Sequence, residues 1–216
     1  DGVCVVCADF YAPEVVSLVA SDLPLVTIDH AFANRSCVLS QNREGLQALV
    51  EYAVSLGHTR IAYVHGQKAS VTENRVTGYF RGLEACGIEP RPEYLVKAVY
   101  DSPEAGATAL CELLSLPEPP TCILMPDDHT ALGALDAAKQ MGLRVPEDVS
   151  VLGFDGLPLT SFLVPQLSTV HQSAKLMAQR SVEILIDNIE NGGKTCHEAV
   201  PFALQQREST RRIDDE

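Results

Sequence analysis

Short apolar runs alternate with helix-period segments along almost the whole chain, and that alternation constrains the fold more than any other feature. GVCVVC (2–7), PLVTI (24–28), RIAYVH (60–65), YLVKAV (94–99), TCILM (121–125) and VSVLGF (149–154) read as strands. Between them, segments over 11–21, 42–56, 73–86, 103–115, 128–141 and 172–191 read as helices. The stripe Leu46, Leu49, Val50, Ala53 and Val54 stops at Gly57, and later helices stop at Gly87, Gly142 and Gly192. Glycine takes the left-handed conformation that closes a helix at little cost. Ser102 followed by Pro103 opens the 103–115 helix as an N-cap and a first-turn proline. A last extended piece is expected over 199–207. Strands that alternate with helices imply parallel sheets with right-handed crossovers.

The chain has 216 residues, 46% of them hydrophobic, which supports a sizeable core and excludes a mainly disordered chain. No apolar run approaches the roughly 18 residues needed to span a bilayer, and no basic-then-apolar signal opens the sequence. Sixteen Lys and Arg stand against 29 Asp and Glu, a formal charge of -13. That balance argues against this chain gripping DNA by itself, because phosphate binding needs clustered cations. Seven cysteines are scattered. Cys4 and Cys7 form a CxxC, but within a strand their side chains point to opposite faces, and no second Cys or His pair completes a zinc site. They read as reduced core thiols, which points to the cytosol.

In open α/β sheets ligands sit beyond the carboxyl ends of the strands. Asp29, Asp127, Asp128, Asp155 and the loop from Gly66 to Arg75 fall there. Carboxylates accept paired hydrogen bonds from hydroxyls and arginine donates a rigid fork, which suits a hydroxyl-rich ligand. The competing role for such acids is to cap the following helices, and for Asp128 that role is preferred. No phosphate-binding glycine loop, nucleophile elbow or paired metal-ligand histidines occur. His58, just past the Gly57 cap, reads as structural. The expectation is a binding site, with no catalytic residue, no metal and no cofactor.

Several segments together resemble the effector-binding core of the lactose-repressor/galactose-repressor (LacI/GalR) family of transcription regulators. They are LVEYAVSLGHTRIAYVHG (49–66), ENRVTGYFRGLEACGI (73–88), PDDHTALGALDAAKQMGLRVPEDVSVLGFDGLPL (126–159), VPQLSTVHQ (164–172) and LQQREST (204–210). The resemblance implies an α/β fold of the periplasmic-binding-protein-like type I. Two parallel-sheet subdomains would be joined by three crossovers, with ligand in the cleft between them. Residues 1–40 and 166–200 would form the first subdomain, 41–165 and 201–212 the second, and 213–216 a tail. The first subdomain is expected to be incomplete, because the family's helix-turn-helix head and first two strand–helix units have no counterpart here.

On that pattern Arg75 matches the ligand-binding arginine, Asp155 the acid completing the cleft floor, and Asp127 a position that contacts effector. Tyr100 falls where an aromatic packs on a sugar face, Thr72 lines the mouth, and Asp29 faces from the other subdomain. Bland readings stand beside these: a surface pairing for Arg75 and a simple turn for Asp155 and Gly156. The implied partners are a small-molecule effector (a sugar or sugar derivative), a second copy in a homodimer, and DNA only through a head outside this chain. No membrane partner is implied, and the location is cytoplasmic. A sugar solute-binding protein of an uptake system, or a sugar-acting enzyme using the cleft acids, are the alternatives.

Overall fold

The computed structural model describes residues 1–6 and 9–213. Cys7, one half of the CxxC, and residues 214–216 of the expected tail lie outside the described residues. In chain order the elements are β1 (Val3–Val5), α1 (Pro13–Ala20), β2 (Leu25–Ile28), β3 (Ser36–Ser40), α2 (Asn42–Ser55), β4 (Ile61–His65), α3 (Ser70–Ala85) and β5 (Leu95–Lys97). They continue with α4 (Pro103–Leu114), β6 (Cys122–Leu124), α5 (Asp128–Gln140), β7 (Ser150–Asp155), β8 (Ser168–Gln172), α6 (Ala174–Asn191), β9 (His197–Val200) and β10 (Phe202–Gln205). Two compact units result, one of Asp1–Gln41, Ala69–Val71 and Gln172–Phe202, the other of Asn42–Lys68, Thr72–His171 and Ala203–Glu216.

The first unit is built on a parallel sheet in the order β1-β2-β3-β9. Val26 and Val38 of the sheet meet Met177 and Ile184 of α6, with Val200 completing that core. Val5, Phe10, Val19 and Leu25 form a second apolar cluster. β3 is a strand that the sequence reading passed over. Its residues, SCVLS, follow a polar stretch and carry a serine at each end, so the local pattern is weak. Pairing with β2 on one side and β9 on the other supplies what local propensity does not.

The second unit holds a six-stranded sheet in the order β10-β8-β7-β6-β4-β5. Alternation along β4 sorts its two faces. Ala62 and Val64 join Leu110, Leu113, Ile123 and Val151 in the core under α4 and α5. Tyr63 points the other way, its ring 5.6 Å from that of Tyr79 on α3. Helices α4 and α5 cross where both are reduced to glycine: a Cβ on Gly133 would lie 1.7 Å from the Pro103 carbonyl oxygen, and one on Gly106 would lie 1.9 Å from that of Thr130.

The boundary expected at 166 falls later. Residues Ser168 to His171 pair in parallel register with β7, so β8 belongs to the six-stranded sheet, and the chain joins the first unit only from Gln172. Of the described cysteines, Cys37 and Cys122 are buried, Cys4 of the CxxC is half-buried rather than fully in the core, and Cys111 on α4 is exposed. Its position falls on the polar side of an amphipathic helix, with the sulfur 3.8 Å from that of Met141. Among the described residues, no helix is long and apolar enough to cross a membrane.

Candidate functional site

Arg75 sits near the start of α3 with only 5% of its side chain exposed. A buried guanidinium must be paired, because desolvating an unpaired charge costs more than a folded domain can spare. Here Nε donates to Asn42 Oδ1 at 2.8 Å, one Nη donates to the Pro126 carbonyl, and the other lies 3.3 Å from Asp155 Oδ1. The guanidinium carbon lies 3.8 Å from the centroid of the Phe154 ring and 5.9 Å from that of Tyr100. Arg75 therefore ties the start of α2 to the ends of β6 and β7. The surface pairing weighed for it is excluded by this burial.

Asp155 ends β7 with φ 110°, a left-handed backbone that side chains other than glycine adopt at a cost. Gly156 follows at φ 73°, and a Cβ there would meet His171 at 2.5 Å. The segment is a turn, as one reading held, and the turn aims Asp155 at Arg75.

Tyr100 packs flat against Gly66, where a Cβ would fall 2.0 Å from its ring. Its hydroxyl lies 2.9 Å from Thr72 Oγ1, which in turn donates to the Gln67 carbonyl at 2.7 Å. Burial pushes the Tyr100 phenol pKa up, with Arg75 opposing. Thr72, Arg75, Tyr100 and Asp155 are thus brought together within the second unit.

Asp127 has a structural duty. It is the N-cap of α5: Oδ1 accepts from the Thr130 amide at 2.7 Å, and Oδ2 accepts from Thr130 Oγ1 at 2.9 Å and from the Asp101 amide at 3.0 Å. The capping role weighed for Asp128 belongs to its neighbour. Asp128 is fully buried instead, accepting from Thr169 Oγ1 and from the Leu157 amide, each at 2.7 Å. Burial pushes its carboxyl up to about 6, opposed by those hydrogen bonds.

Asp29 lies in the first unit with φ 61°. Its Oδ1 accepts from the amide of Ser40 at 2.7 Å and from the Ser40 hydroxyl, which closes the ends of β2 and β3. Asp101, Asp127 and His129 bring one ligand atom each within 4.8 Å of one another. His129 Nδ1 is paired with Asp101 Oδ1 at 3.0 Å and Asp127 is committed to its cap, so this trio is accounted for by protein contacts.

Asn42, Phe154 and Tyr63 were not singled out by sequence. Asn42 stood at a helix start, Phe154 and Tyr63 inside strand runs, and nothing local distinguishes a strand aromatic facing a guanidinium from one in a core. The assembled group offers a fork of donors, carboxylate and hydroxyl acceptors, and aromatic faces. That inventory suits recognition by hydrogen bonding and ring packing.

Fold and site together define an α/β core with a buried arginine cluster at the ends of its strands. Residues 50–210 match the family model of the periplasmic binding protein-like domain. The chain is 35% identical over 186 residues to the HTH-type transcriptional repressor CytR of Escherichia coli strain K12, matching 86% of this chain and 49% of CytR. It therefore spans about half the length of that relative. A regulatory protein of the LacI family from Chloroflexus aggregans superposes with a TM-score of 0.88 at 26% identity, covering 97% of this chain and 76% of that one. The transcriptional regulator CelR in complex with cellobiose superposes at 0.87 with 26% identity, covering 97% and 65%. The chain belongs to the periplasmic-binding-protein-like domain family, in the form carried by LacI-family transcriptional regulators.

Proposed function

We propose that this chain is the effector-sensing core of a cytoplasmic, dimeric transcriptional regulator that recognises a small hydroxyl-rich molecule, a sugar or sugar derivative, at the Arg75 group. The observation that carries the reading is the buried guanidinium fixed by Asn42, the Pro126 carbonyl and Asp155 over the Phe154 face. A donor fork held rigid in this way loses little entropy when it meets a ligand. Arg75 and Asp155 take the effector's hydroxyls, Tyr100 offers its ring, and Thr72 sets the Tyr100 hydroxyl. Asp127 contributes by holding α5 and the Asp101 loop rather than by contact, and Asp29, committed to Ser40, is left out of the contact set. The cellobiose complex of CelR supports a carbohydrate as the class.

DNA contact would come from residues outside this chain, which fits its net charge of -13. Effector would act by favouring one conformation of the dimer, which requires a difference in its affinity for the two. Titration calorimetry of the intact protein with D-cellobiose, D-glucose, D-ribose and cytidine tests the site. Arg75→Ala is expected to weaken whichever probe binds by at least about tenfold; unchanged affinity overturns the assignment.

A further inference from the structure

The tyrosines of this chain divide in a way that points to one of them. Tyr52 lies 3.0 Å from Thr210 Oγ1, Tyr79 donates to the Ile61 carbonyl at 2.9 Å, Tyr94 donates to the Glu118 carbonyl at 2.7 Å, and Tyr100 pairs with Thr72 at 2.9 Å. Each hydroxyl that leaves solvent finds a protein partner, as buried hydroxyls in native structures nearly always do. Tyr63 does not. The residue is 0% exposed, and its hydroxyl has no hydrogen-bond partner among the described residues.

Where that hydroxyl sits gives the mismatch a meaning. Tyr63 lies on the face of β4 opposite the apolar core that takes Ala62 and Val64. The groups that act electrostatically on its phenol are Tyr100, Arg75, Asp127 and Asp155, which are residues of the proposed effector site and its support. Tyr100 covers this end of β4, because Gly66 leaves room for the ring. The backbone that carries Tyr100 is fixed by its amide donating to Gln67 Oε1 at 3.2 Å and by the Asp101 amide donating to Asp127 Oδ2 at 3.0 Å, so any movement is of the ring, beside Val99 at 55% exposed.

We propose that Tyr63 is a specificity-determining residue of the Arg75 site, its hydroxyl pairing with a hydroxyl of the bound effector when the Tyr100 ring moves off Gly66. The inference rests on the reading of that group as the effector site. A phenol both donates and accepts, so it matches an alcohol. A ligand lacking that alcohol leaves the phenol unpaired in a dry pocket, which is how a polar site rejects a deoxy analogue. An ordered water held by Tyr63 whatever the ligand is the competing explanation, and it predicts no change in affinity when the hydroxyl is removed.

The test is calorimetry on the intact protein, as wild type, Tyr63→Phe and Arg75→Ala, with D-cellobiose, D-glucose, D-ribose, cytidine, 2-deoxy-D-glucose and 2-deoxy-D-ribose. Phe keeps the ring and its packing, so the variant reports on the hydroxyl alone. For the probe that binds wild type, Tyr63→Phe is expected to lose about tenfold in affinity. The unliganded variant should melt at or above the wild-type temperature, because an unpaired buried hydroxyl has been removed. Affinity within about twofold of wild type, or a melting point lower by more than about 5 °C, overturns the inference. If Arg75→Ala weakens binding while Tyr63→Phe does not, the inference alone falls. If Arg75→Ala binds as wild type does, or no probe binds wild type, the reading of the site falls and takes this inference with it.

Discussion

The Arg75 guanidinium lies over the Phe154 ring at 3.8 Å while one of its nitrogens meets the carboxylate of Asp155, the next residue along β7. Successive strand residues normally point to opposite faces. The positive φ of Asp155 brings both side chains to one arginine. Arg75→Lys keeps the charge but loses the planar fork and the stacking face. It should cost about 2 kcal/mol in urea unfolding, the worth of the charge-assisted hydrogen bonds removed. An unchanged midpoint would show that the fork carries no stability.

Asp128 makes stability depend on pH in the less common direction. Its carboxyl is raised from 3.8 to about 6, so the folded chain holds the proton more tightly than the unfolded one. The contribution is fully present below about pH 4, falls as pH rises to about 6, and is then lost, a change of about 3 kcal/mol. Asp128→Asn imitates the protonated acid: its amide can donate to Thr169 while its oxygen accepts from Leu157. Unfolding at pH 4.5, 5.5 and 7 should show the variant gaining on wild type as pH rises. A constant difference would contradict the assignment.

His58 titrates the other way. It is buried, with Nδ1 2.9 Å from Thr121 Oγ1 and Nε2 3.2 Å from the Arg211 carbonyl, and burial pushes its pKa from 6.5 down to about 4. The neutral ring contributes stability above about pH 6.5 that is lost as pH falls towards 4, about 3 kcal/mol. His58→Gln should narrow its stability gap to wild type by that amount between pH 7 and pH 4. Because Asp128 and His58 oppose each other over that range, each single variant should expose a slope that wild type conceals.

The crossing of α4 and α5 is set by backbone contact, so Gly133→Ala should be severe. The added methyl would stand 1.7 Å from a carbonyl oxygen that cannot rotate away. A loss of about 3 kcal/mol is expected. Gly87→Ala, at φ 70° with open space around it, should cost only about 1 kcal/mol of backbone strain. Equal thermal shifts for the two would argue that the helices separate readily.

Most strands and all six helices could be read from the sequence, because each strand lies in an apolar run and each helix carries a periodic stripe. α4 begins where Ser102 and Pro103 marked it, with the Ser102 hydroxyl accepting from the Ala105 amide at 3.1 Å. β3 and β8 could not be read, because serine, threonine or histidine breaks up their apolar runs. Ser36, Ser168 and Thr169 are nevertheless buried, by neighbours far away in sequence. The exchange of roles between Asp127 and Asp128 was hidden for a similar reason. Two adjacent acids before a helix look alike until Thr169, more than forty residues on, takes one of them into the core.

By itself, then, the sequence determined the alternating α/β plan, the acids and arginine at the strand ends, and the resemblance that matches the family. Those are local patterns and motif spacings, and they survive without knowledge of what packs on what. Only the tertiary structure decided that Arg75 is buried against Phe154, that Asp127 caps while Asp128 is taken into the core, and that the buried Tyr63 hydroxyl finds no partner among the described residues. Those outcomes depend on which polar atoms meet after the sheet has formed, and hydrogen-bond satisfaction is a property of the assembled interior rather than of any segment.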